Sequence, residues 1–308
     1  MYSPSRCFGK KGKKNSGPGS PQAMPNKENK CPQGPHMETV RDACKDNLIK
    51  QFFESVDPEL EWQSHWEATR DVKSCRQKDD GDPCCSLRGN GTAKICQEQI
   101  TLHGKPRYYI TCKPGKAWRN VELTGYVRVD EMPQSISRST GVAIGTRSNH
   151  DSNDIYPCDA HGYYIKYWAG TQEIGIQKEF YHDAKRVIYS CSKRAKRKLE
   201  LPSGSFLGLK YIVRDNKDGC SVNLEVYIDL TEGLNGGTWE KVLSFKDENW
   251  KATNFDSDER FPCTYPYKPQ GVPNHCYPVL RPGRATFLRS DVEKCTWKWV
   301  SIREIDHL

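Results

Sequence analysis

The sequence has no long hydrophobic run, and this absence excludes several classes of protein. Only 35% of the 308 residues are hydrophobic, below the ~45–50% of typical globular chains, a range that also counts Gly. No stretch approaches the ~20 apolar residues that a membrane-spanning helix needs. Heptad repeats are missing too, and 24 Gly with 19 Pro break any long helix, which excludes a coiled coil. The 8 Trp, 15 Tyr and 9 Phe still supply core material that a wholly disordered chain lacks.

Several signature motifs of enzymes and metal-binding proteins are absent as well. The chain contains no C-x-x-C pair, and its cysteine spacings match no zinc finger, knuckle or ribbon. It has no phosphate-binding loop, no dinucleotide-binding glycine pattern and no Ser-His-Asp motif. Residues 1–38 include no apolar segment of the kind that forms a signal peptide. For a secreted chain we would therefore expect a trimmed leader or a different native N-terminus.

Cysteine, by contrast, is abundant. The 14 Cys are an even number without metal-ligand spacing, so the sequence predicts that most are paired in disulfides, Cys158 and Cys191 among them. Disulfides indicate an oxidising compartment. Asn90-Gly91-Thr92 is a glycosylation sequon, which also favours a glycoprotein. We therefore predict an extracellular, secreted protein. Its formal net charge of +8 favours an acidic partner.

The composition divides the chain into three parts. Residues 1–38 are rich in Gly, Pro, Ser, Lys and Asn, and they predict a disordered basic tail. Residues 39–69 are interpreted as a short helical and linker segment, with an amphipathic helix over 39–56. Its apolar stripe consists of Val40, Cys44, Leu48, Phe52 and Val56. Residues 70–308 change to a period of two and predict one β domain.

This β domain contains nine predicted strands separated by Gly, Pro, Asn or Asp. They are Trp118–Val129, Thr140–Thr146, Tyr163–Trp168, Glu173–Tyr181, Phe206–Val213, Val222–Leu230, Trp239–Phe245, Arg284–Arg289 and Thr296–Ile305. Residues 169–172 form a short hairpin loop between two of them. So many antiparallel strands with almost no helix predict an all-β sandwich of two sheets. A β-propeller would show a repeat near forty residues, and none is present.

Three blocks carry a resemblance to a known superfamily. FLGLKYIVRD…SVNLEVYIDLTEGLNGGTWEKVLSF is similar to the concanavalin A-like jelly roll of laminin G-like domains, laminarinases and several polysaccharide lyases. PRYYI…AWRNVELTGYVRV resembles the opening strands of such proteins, and TWKWVSIREI resembles the closing strand. The resemblance covers roughly residues 90–306 and implies the jelly-roll fold. The hydrolase motif E-x-D-x-x-E and the alginate-lyase motifs R-x-E-L-R and Q-I-H are absent, and Y-F-K-A-G has only a faint counterpart in Tyr167-Trp168-Ala169-Gly170.

The densest group of chemically capable side chains lies between residues 147 and 182. We predict catalytic roles for His150, Tyr164, Lys178 and His182. The predicted substrate-binding residues are Arg147, Gln177, Glu179, Tyr181, Glu225 and Tyr227. The last two belong to a polar strand face that, in the superfamily it resembles, is often the ligand face. Lys178 and Glu179 point to opposite faces of a regular strand, so only a bulge could bring the whole group together.

These residue types fit β-elimination of an acidic polysaccharide, which needs a cation for the uronate carboxylate, a base for the C5 proton and an acid for the leaving oxygen. Arg147 or Lys178 could neutralise, His150 or His182 could be the base, and a tyrosine could be the acid. An equally strong interpretation is that these side chains bind sugar hydroxyls without chemistry. A metal site is a further alternative, formed by His150, Asp151, His161 and His182.

The sequence therefore predicts a secreted protein that acts on an acidic polysaccharide, most simply as a lyase. The alternatives are a lectin-like glycan-binding module and a disulfide-crosslinked structural protein. We predict no metal or other cofactor, and no motif supports a structural Ca²⁺. The predicted partner is an acidic polysaccharide or another glycan, with no nucleic acid and no membrane span. The basic run of residues 193–198 is interpreted as a solvated loop or a glycan-steering patch.

Overall fold

A computed structural model describes residues 49–73, 77–150, 160–182, 187–248, 250 and 282–308. The predicted tail over residues 1–38 therefore lies outside the described residues. Within the described part, no helix is long and apolar enough to cross a membrane.

The described chain is built almost entirely from antiparallel strands. They are β1 (Glu61–Gln63), β2 (Arg70–Lys73), β3 (Gln77–Asp79), β4 (Asp82–Cys96), β5 (Gln99–Thr111), β6 (Val121–Glu131), β7 (Val142–Ser148), β8 (Gly162–Trp168), β9 (Glu173–His182), β10 (Val187–Tyr189), β11 (Lys193–Arg194), β12 (Leu207–Asp215), β13 (Val222–Asp229), β14 (Glu240–Asp247), β15 (Ala285–Ser290) and β16 (Lys294–Glu304). Two short 3-10 turns, Pro58–Leu60 and Leu234–Gly236, are added to them.

The long strand β5 links two sheets. Its second half pairs with β15, which continues through β7, β8 and β9 to β10, and we call this the first sheet. Its first half pairs with β16, which continues through β6, β12 and β13 to β14, and we call this the second sheet. β4 runs beside β5 along almost its whole length. The two sheets thus form one sandwich, which confirms the predicted all-β jelly-roll fold.

The core lies between the two sheets and follows the alternation of the sequence. In the first sheet, Ile144 and Ile165 point inward, and in the second sheet Leu209 and Leu224 do so. Each of these side chains is fully buried. Burial of a Leu or Ile side chain contributes about 1.5–3 kcal/mol, so this alternation is the main source of stability. The opposite faces of both sheets carry polar and aromatic side chains.

All nine predicted strands are present, with ends that shift by at most three residues. The predicted hairpin loop over 169–172 joins β8 to β9, and its Thr171 N–H donates to the Trp168 carbonyl. The hairpin of β4 and β5 was not predicted in full. Three glycines and the sequon interrupt its alternation, and positive φ angles at Gly89 and Gly104 allow the backbones of the two strands to approach closely.

The predicted helix over 39–56 is wrong for its described part. Residues 49–56 form no helix. The backbone N–H groups of Phe52 and Phe53 instead donate to the Glu122 carboxylate at 3.0 Å, so they are not available to a helical turn. This segment lies over the outer face of the second sheet, where the Phe52 ring meets Tyr227 at 4.8 Å.

The cysteines are mostly unpaired in the described part of the chain. Five of them are free thiols: Cys84, Cys85, Cys112, Cys191 and Cys295. Cys96 and Cys220 are disulfide-bonded. The predicted pairing of Cys191 is therefore wrong, and Cys158 lies outside the described residues. The prediction that most of the cysteines are paired is not confirmed.

Candidate functional site

The outer face of the first sheet has an aromatic floor. Tyr109, Phe287, Gly145, Tyr164 and Gln177 face one another across five neighbouring strands. The Phe287 ring centre lies 5.6 Å from that of Tyr109 and 5.1 Å from that of Tyr164. A Cβ atom at Gly145 would lie 2.5 Å from both Phe287 and Tyr164, so glycine lets the rings close over this strand. The floor is buried, and it supports the polar groups around it.

A row of cations lies on the same face, two residues along each strand from the floor. Arg88, Arg107 and Arg289 are directly paired across β4, β5 and β15. Lys166 on β8 lies at the same level, and its Nζ contacts Asp291 Oδ2 at 2.7 Å. The Arg289 Nε also donates to Asp291, at 3.0 Å. Like charges directly opposite in a sheet repel each other, so this cation row is costly unless an anion offsets it.

Arg107 is the least compensated member of the cation row. It is half-buried, and it forms no ion pair with any residue in the described part of the chain. Its neighbour Arg88 lies over the Tyr109 ring at 5.8 Å, which fixes these side chains above the floor. A half-buried guanidinium with donors to spare is suited to a carboxylate or sulfate group of a ligand.

Beside the cation row, two histidines and a glutamate converge. His150 Nε2 lies 2.7 Å from His182 Nδ1. Glu179 Oε1 lies 2.8 Å from His182 Nδ1 and 3.3 Å from His150 Nε2. The other nitrogen of His150, Nδ1, contacts the Tyr109 hydroxyl at 2.7 Å. Glu179 and His150 are buried, and His182 is half-buried.

A β-bulge in β9 brings Glu179 and His182 to one face. The paired positions of β9 and β10 are His182 with Val187, Tyr181 with Ile188 and Glu179 with Tyr189. Phe180 therefore has no residue opposite and is the extra residue of the bulge. It shifts the alternation by one, so Glu179 and His182 meet although they are three positions apart. The sequence analysis required a bulge to unite Lys178, Glu179 and His182, but this one brings together only Glu179 and His182.

The environment of this cluster sets its charges. Burial would raise the pKa of Glu179, but the contacts with His150 and His182 outweigh it and lower the pKa to about 2. Burial lowers the pKa of His150, and the nearby Glu179 offsets only part of this effect. Burial and then the Glu179 charge raise the pKa of Tyr189 to about 12. At neutral pH the cluster therefore holds an ionised Glu179 and a neutral His150.

The structure brings together part of the predicted site. His150, Glu179 and His182 form the cluster just described, and Tyr164 and Gln177 belong to the aromatic floor beside it. Tyr164 is buried against Phe287 and Tyr189. Of the predicted metal ligands, only His150 and His182 lie in the cluster, because His161 Nδ1 contacts the Arg147 carbonyl instead, at 3.0 Å. Asp151 lies outside the described residues.

Two predicted cations lie elsewhere. Lys178 points into the core between the sheets, where its Nζ contacts Asp247 Oδ2 at 2.7 Å and the Trp250 carbonyl at 3.3 Å. Arg147 is also buried, and its Nη2 contacts Asp215 Oδ1 at 2.7 Å. Both pairs join a strand of the first sheet to a strand of the second, so they hold the sandwich together.

Three further predicted residues do not face the cluster. Tyr181 is paired with Ile188 and points to the face opposite His182. Glu225 and Tyr227 lie on the outer face of the second sheet, and the Tyr227 hydroxyl donates to Glu225 at 3.2 Å. Residues 49–56 lie over this part of the second sheet, so it is separate from the cluster of His150.

Sequence reasoning missed Arg107, Tyr109 and Arg289. A signal for them was present in two short strings, R-Y-Y at 107–109 and F-L-R at 287–289. Each alternates a cation and an aromatic residue with a spacing of two, in opposite order. Antiparallel neighbours with such mirrored patterns place cation beside cation and ring beside ring. The pattern becomes informative only once β5 and β15 are known to be neighbours.

Comparisons with known proteins give structural neighbours only. No family model and no curated protein matches the chain. A protein with a galectin-like fold from Bacillus subtilis is 12% identical, with a TM-score of 0.41, over 80% of this chain and 100% of that one. The Ca²⁺/Man3GlcNAc-bound lumenal domain of VIP36 is 9% identical, with a TM-score of 0.42, over 73% and 88%. A legume lectin-like domain from Entamoeba histolytica is 8% identical, with a TM-score of 0.36, over 72% and 90%.

Proposed function

We propose that this protein binds an anionic carbohydrate on the outer face of its first sheet. The observation that carries the proposal is the pairing of Arg88, Arg107 and Arg289 on three neighbouring strands. Side by side, the three guanidinium groups repel one another, and a ligand carboxylate or sulfate removes that repulsion. Each guanidinium can donate two parallel hydrogen bonds to such a group.

The surroundings of the cation row suit a sugar. Half-buried polar groups on the same face, from Gln177, His182 and Tyr189, can donate to or accept from hydroxyl groups. The buried rings below them hold these groups in place. A binding site of this kind needs a few fixed polar groups on a rigid support, and strands provide that support better than loops do.

Arg107→Gln provides the direct test. We expect it to weaken binding to alginate and pectate by roughly 10–100-fold, since a charge-assisted hydrogen bond contributes about 1.5–3 kcal/mol. Binding of the wild-type protein should also weaken as salt is added, and a neutral glucan should bind far less well. Isothermal titration calorimetry with size-defined oligosaccharides measures all three effects.

Arg197→Gln is the matched control, because it removes the same charge from the exposed basic run at 193–198. We expect it to bind as the wild-type protein does. Equal losses in both variants would mean that net charge, and not the cation row, attracts the glycan. Full binding by Arg107→Gln, or none by the wild-type protein to any anionic glycan, would refute the proposal.

A second candidate function is β-elimination of the bound polysaccharide. It is favoured by His182, a half-exposed imidazole held by Glu179 at 2.8 Å on the same face as Arg107. His182 would take the C5 proton, Arg107 would neutralise the uronate and Tyr189 would protonate the leaving oxygen. Ultraviolet absorbance of the unsaturated product on alginate, glucuronan, pectate and hyaluronan tests this. Turnover that His182→Ala abolishes, with binding retained, would support a lyase, whereas binding without turnover would leave a lectin-like module.

We also propose that the protein acts outside the cell, where such polysaccharides occur. Asn90 and Thr92 of the sequon are exposed on β4, so a glycan could be attached there. Treatment of protein from its native source with an endoglycosidase should then lower its apparent mass. An unchanged mass would remove this support.

A further inference from the structure

We propose that His150, Glu179 and His182 bind a divalent transition-metal ion, with Zn²⁺ the best match to their ligand atoms. These atoms are His150 Nε2, His182 Nδ1 and Glu179 Oε1, from the end of β7 and from both sides of the β9 bulge. Two imidazoles and one carboxylate form a ligand set that suits zinc and leaves a coordination position open. The proposal does not depend on the glycan.

Hydrogen bonding alone serves the three atoms poorly. Each nitrogen carries at most one proton, which points in one direction. If His150 Nε2 donates to His182 Nδ1, then His182 Nδ1 has only a lone pair to direct at Glu179 Oε1. If both donate to Glu179, two N–H groups face each other at 2.7 Å. A proton on His182 Nδ1 can serve the two short contacts only as a shared three-centre bond, whereas a cation accepts a lone pair from each atom.

The distances also fit an ion. The sides of the triangle are 2.7, 2.8 and 3.3 Å. A point just off the plane of the three atoms lies about 2 Å from each of them, within the Zn–N and Zn–O bond lengths of about 2.0–2.2 Å. Tetrahedral geometry would require the two shorter sides to widen to about 3.3 Å, a small movement of the ligand side chains.

The groups around the triangle support the same assignment. The Tyr109 hydroxyl contacts His150 Nδ1 at 2.7 Å, so it can hold a proton on that nitrogen and leave the Nε2 lone pair for a metal. The second carboxylate oxygen of Glu179, Oε2, is buried without a hydrogen-bond partner in the described part of the chain. A fully buried carboxylate oxygen normally has a partner, and bidentate coordination would supply one.

The ion would add to the positive character of this face. Glu179 offers one negative charge against two from the metal, so the centre keeps a positive charge beside Arg107 and Arg289. Its open position would then accept an oxygen of an anionic ligand. With both imidazoles bound to metal, His182 could not act as a base, so metal binding and elimination by His182 exclude each other.

Metal titration of the full-length protein tests the proposal. After treatment with a chelator and dialysis, we expect the protein to bind one more equivalent of Zn²⁺ than the double variant His150→Ala/His182→Ala does. The double variant accounts for metal taken up by the free thiols. His182→Ala alone, at a half-exposed position, should weaken binding by at least about 100-fold. Tyr109→Phe should weaken it by about 10–100-fold, as expected for a group that orients a ligand.

Co²⁺ provides a spectroscopic readout that activity does not. The difference between wild-type and double-variant spectra should show visible cobalt bands without the near-ultraviolet band of thiolate ligands. His103→Ala, which removes an exposed histidine from β5, should bind one equivalent like the wild-type protein. Equal metal uptake by the wild-type protein and a folded double variant, or full affinity in His182→Ala, would overturn the assignment. Thermal melting confirms that each variant is folded.

Discussion

Two buried lysines show how this sandwich uses charge in its interior. Lys178 and Asp247 are both fully buried and link β9 of the first sheet to β14 of the second. Lys210 and Glu122 are also fully buried, under residues 51–53 on the outer face of the second sheet. A buried pair adds little stability compared with apolar residues, but removing one partner leaves an uncompensated charge. Such lysines are therefore structural.

We predict that Lys178→Met lowers the free energy of unfolding by about 3–5 kcal/mol. Methionine has a similar shape, but among the described residues it leaves buried Asp247 with only the Tyr163 hydroxyl and the Trp250 N–H as donors. Urea unfolding measures the loss. Anionic glycan binding per folded molecule should stay unchanged, because Lys178 points away from the cation row.

The double variant Lys178→Met/Asp247→Leu is the control. It removes both charges together, so it should recover most of the lost stability. A loss below about 1 kcal/mol in Lys178→Met would show that the pair is not buried as described. Loss of glycan binding in the folded variant would mean that Lys178 belongs to the binding site.

At the residue scale, the sequence named the members of the cluster together with residues that lie outside it. Chemical type pointed to His150, Glu179 and His182, which meet in the structure. It pointed equally to Lys178 and Arg147, which do not, because alternation and a positive φ of 50° at Arg147 direct their side chains elsewhere. The direction of one side chain on a strand depends on the bulges before it. A single sequence does not show them.

At the element scale, one carboxylate organises the connection between β13 and β14. The Asp229 oxygens accept from the backbone N–H groups of Thr231, Gly233 and Thr238 at 3.0, 2.8 and 2.8 Å. The Tyr126 hydroxyl of β6 donates to the same carboxylate at 2.9 Å. Burial would raise the pKa of Asp229, but these donors outweigh it and lower the pKa. The turn therefore depends on an ionised carboxylate.

We predict that Asp229→Asn destabilises the protein at neutral pH by roughly 1.5–3 kcal/mol, because an amide nitrogen cannot accept from Gly233 or Tyr126. The pH dependence has a definite sign. Since the folded pKa is lowered, the stabilisation is fully present above the unfolded value of about 3.9 and is lost as the pH falls from there through the folded pKa. Urea unfolding between pH 6 and pH 2.5 should therefore show that the free energy of unfolding falls less with decreasing pH in Asp229→Asn than in the wild-type protein. Parallel profiles for the two proteins would contradict this.

Elements were easier to predict than their pairing. Nine strands followed from alternation, because a half-buried strand must place apolar residues at every second position. The hairpin of β4 and β5 was harder, since its glycines and sequon resemble a loop. Yet β5, which was not among the nine predicted strands, joins both sheets and carries Arg107 and Tyr109. The cation row can be recognised only once this strand is known.

At the scale of the whole molecule, the two outer faces differ. Residues 49–56 contact the outer face of the second sheet. There the Phe52 ring lies against Tyr227 and 4.8 Å from the Lys210 ammonium. The outer face of the first sheet carries the cation row and the histidine cluster. Two residues of the predicted ligand face, Glu225 and Tyr227, lie on the second sheet, away from the cation row. Alternation shows which residues share a face of one strand, but not which sheet face receives the N-terminal segment.

The cysteines of the whole molecule yield the last prediction. After denaturation without reductant, alkylation and mass spectrometry should find at least five free thiols, at Cys84, Cys85, Cys112, Cys191 and Cys295. In the native protein the exposed Cys191 should react first. Cys85 and Cys295 should react last, because both are buried and burial raises the pKa of each thiol, so their reactive thiolates are scarce. Peptides that join these five cysteines in disulfides would contradict the prediction.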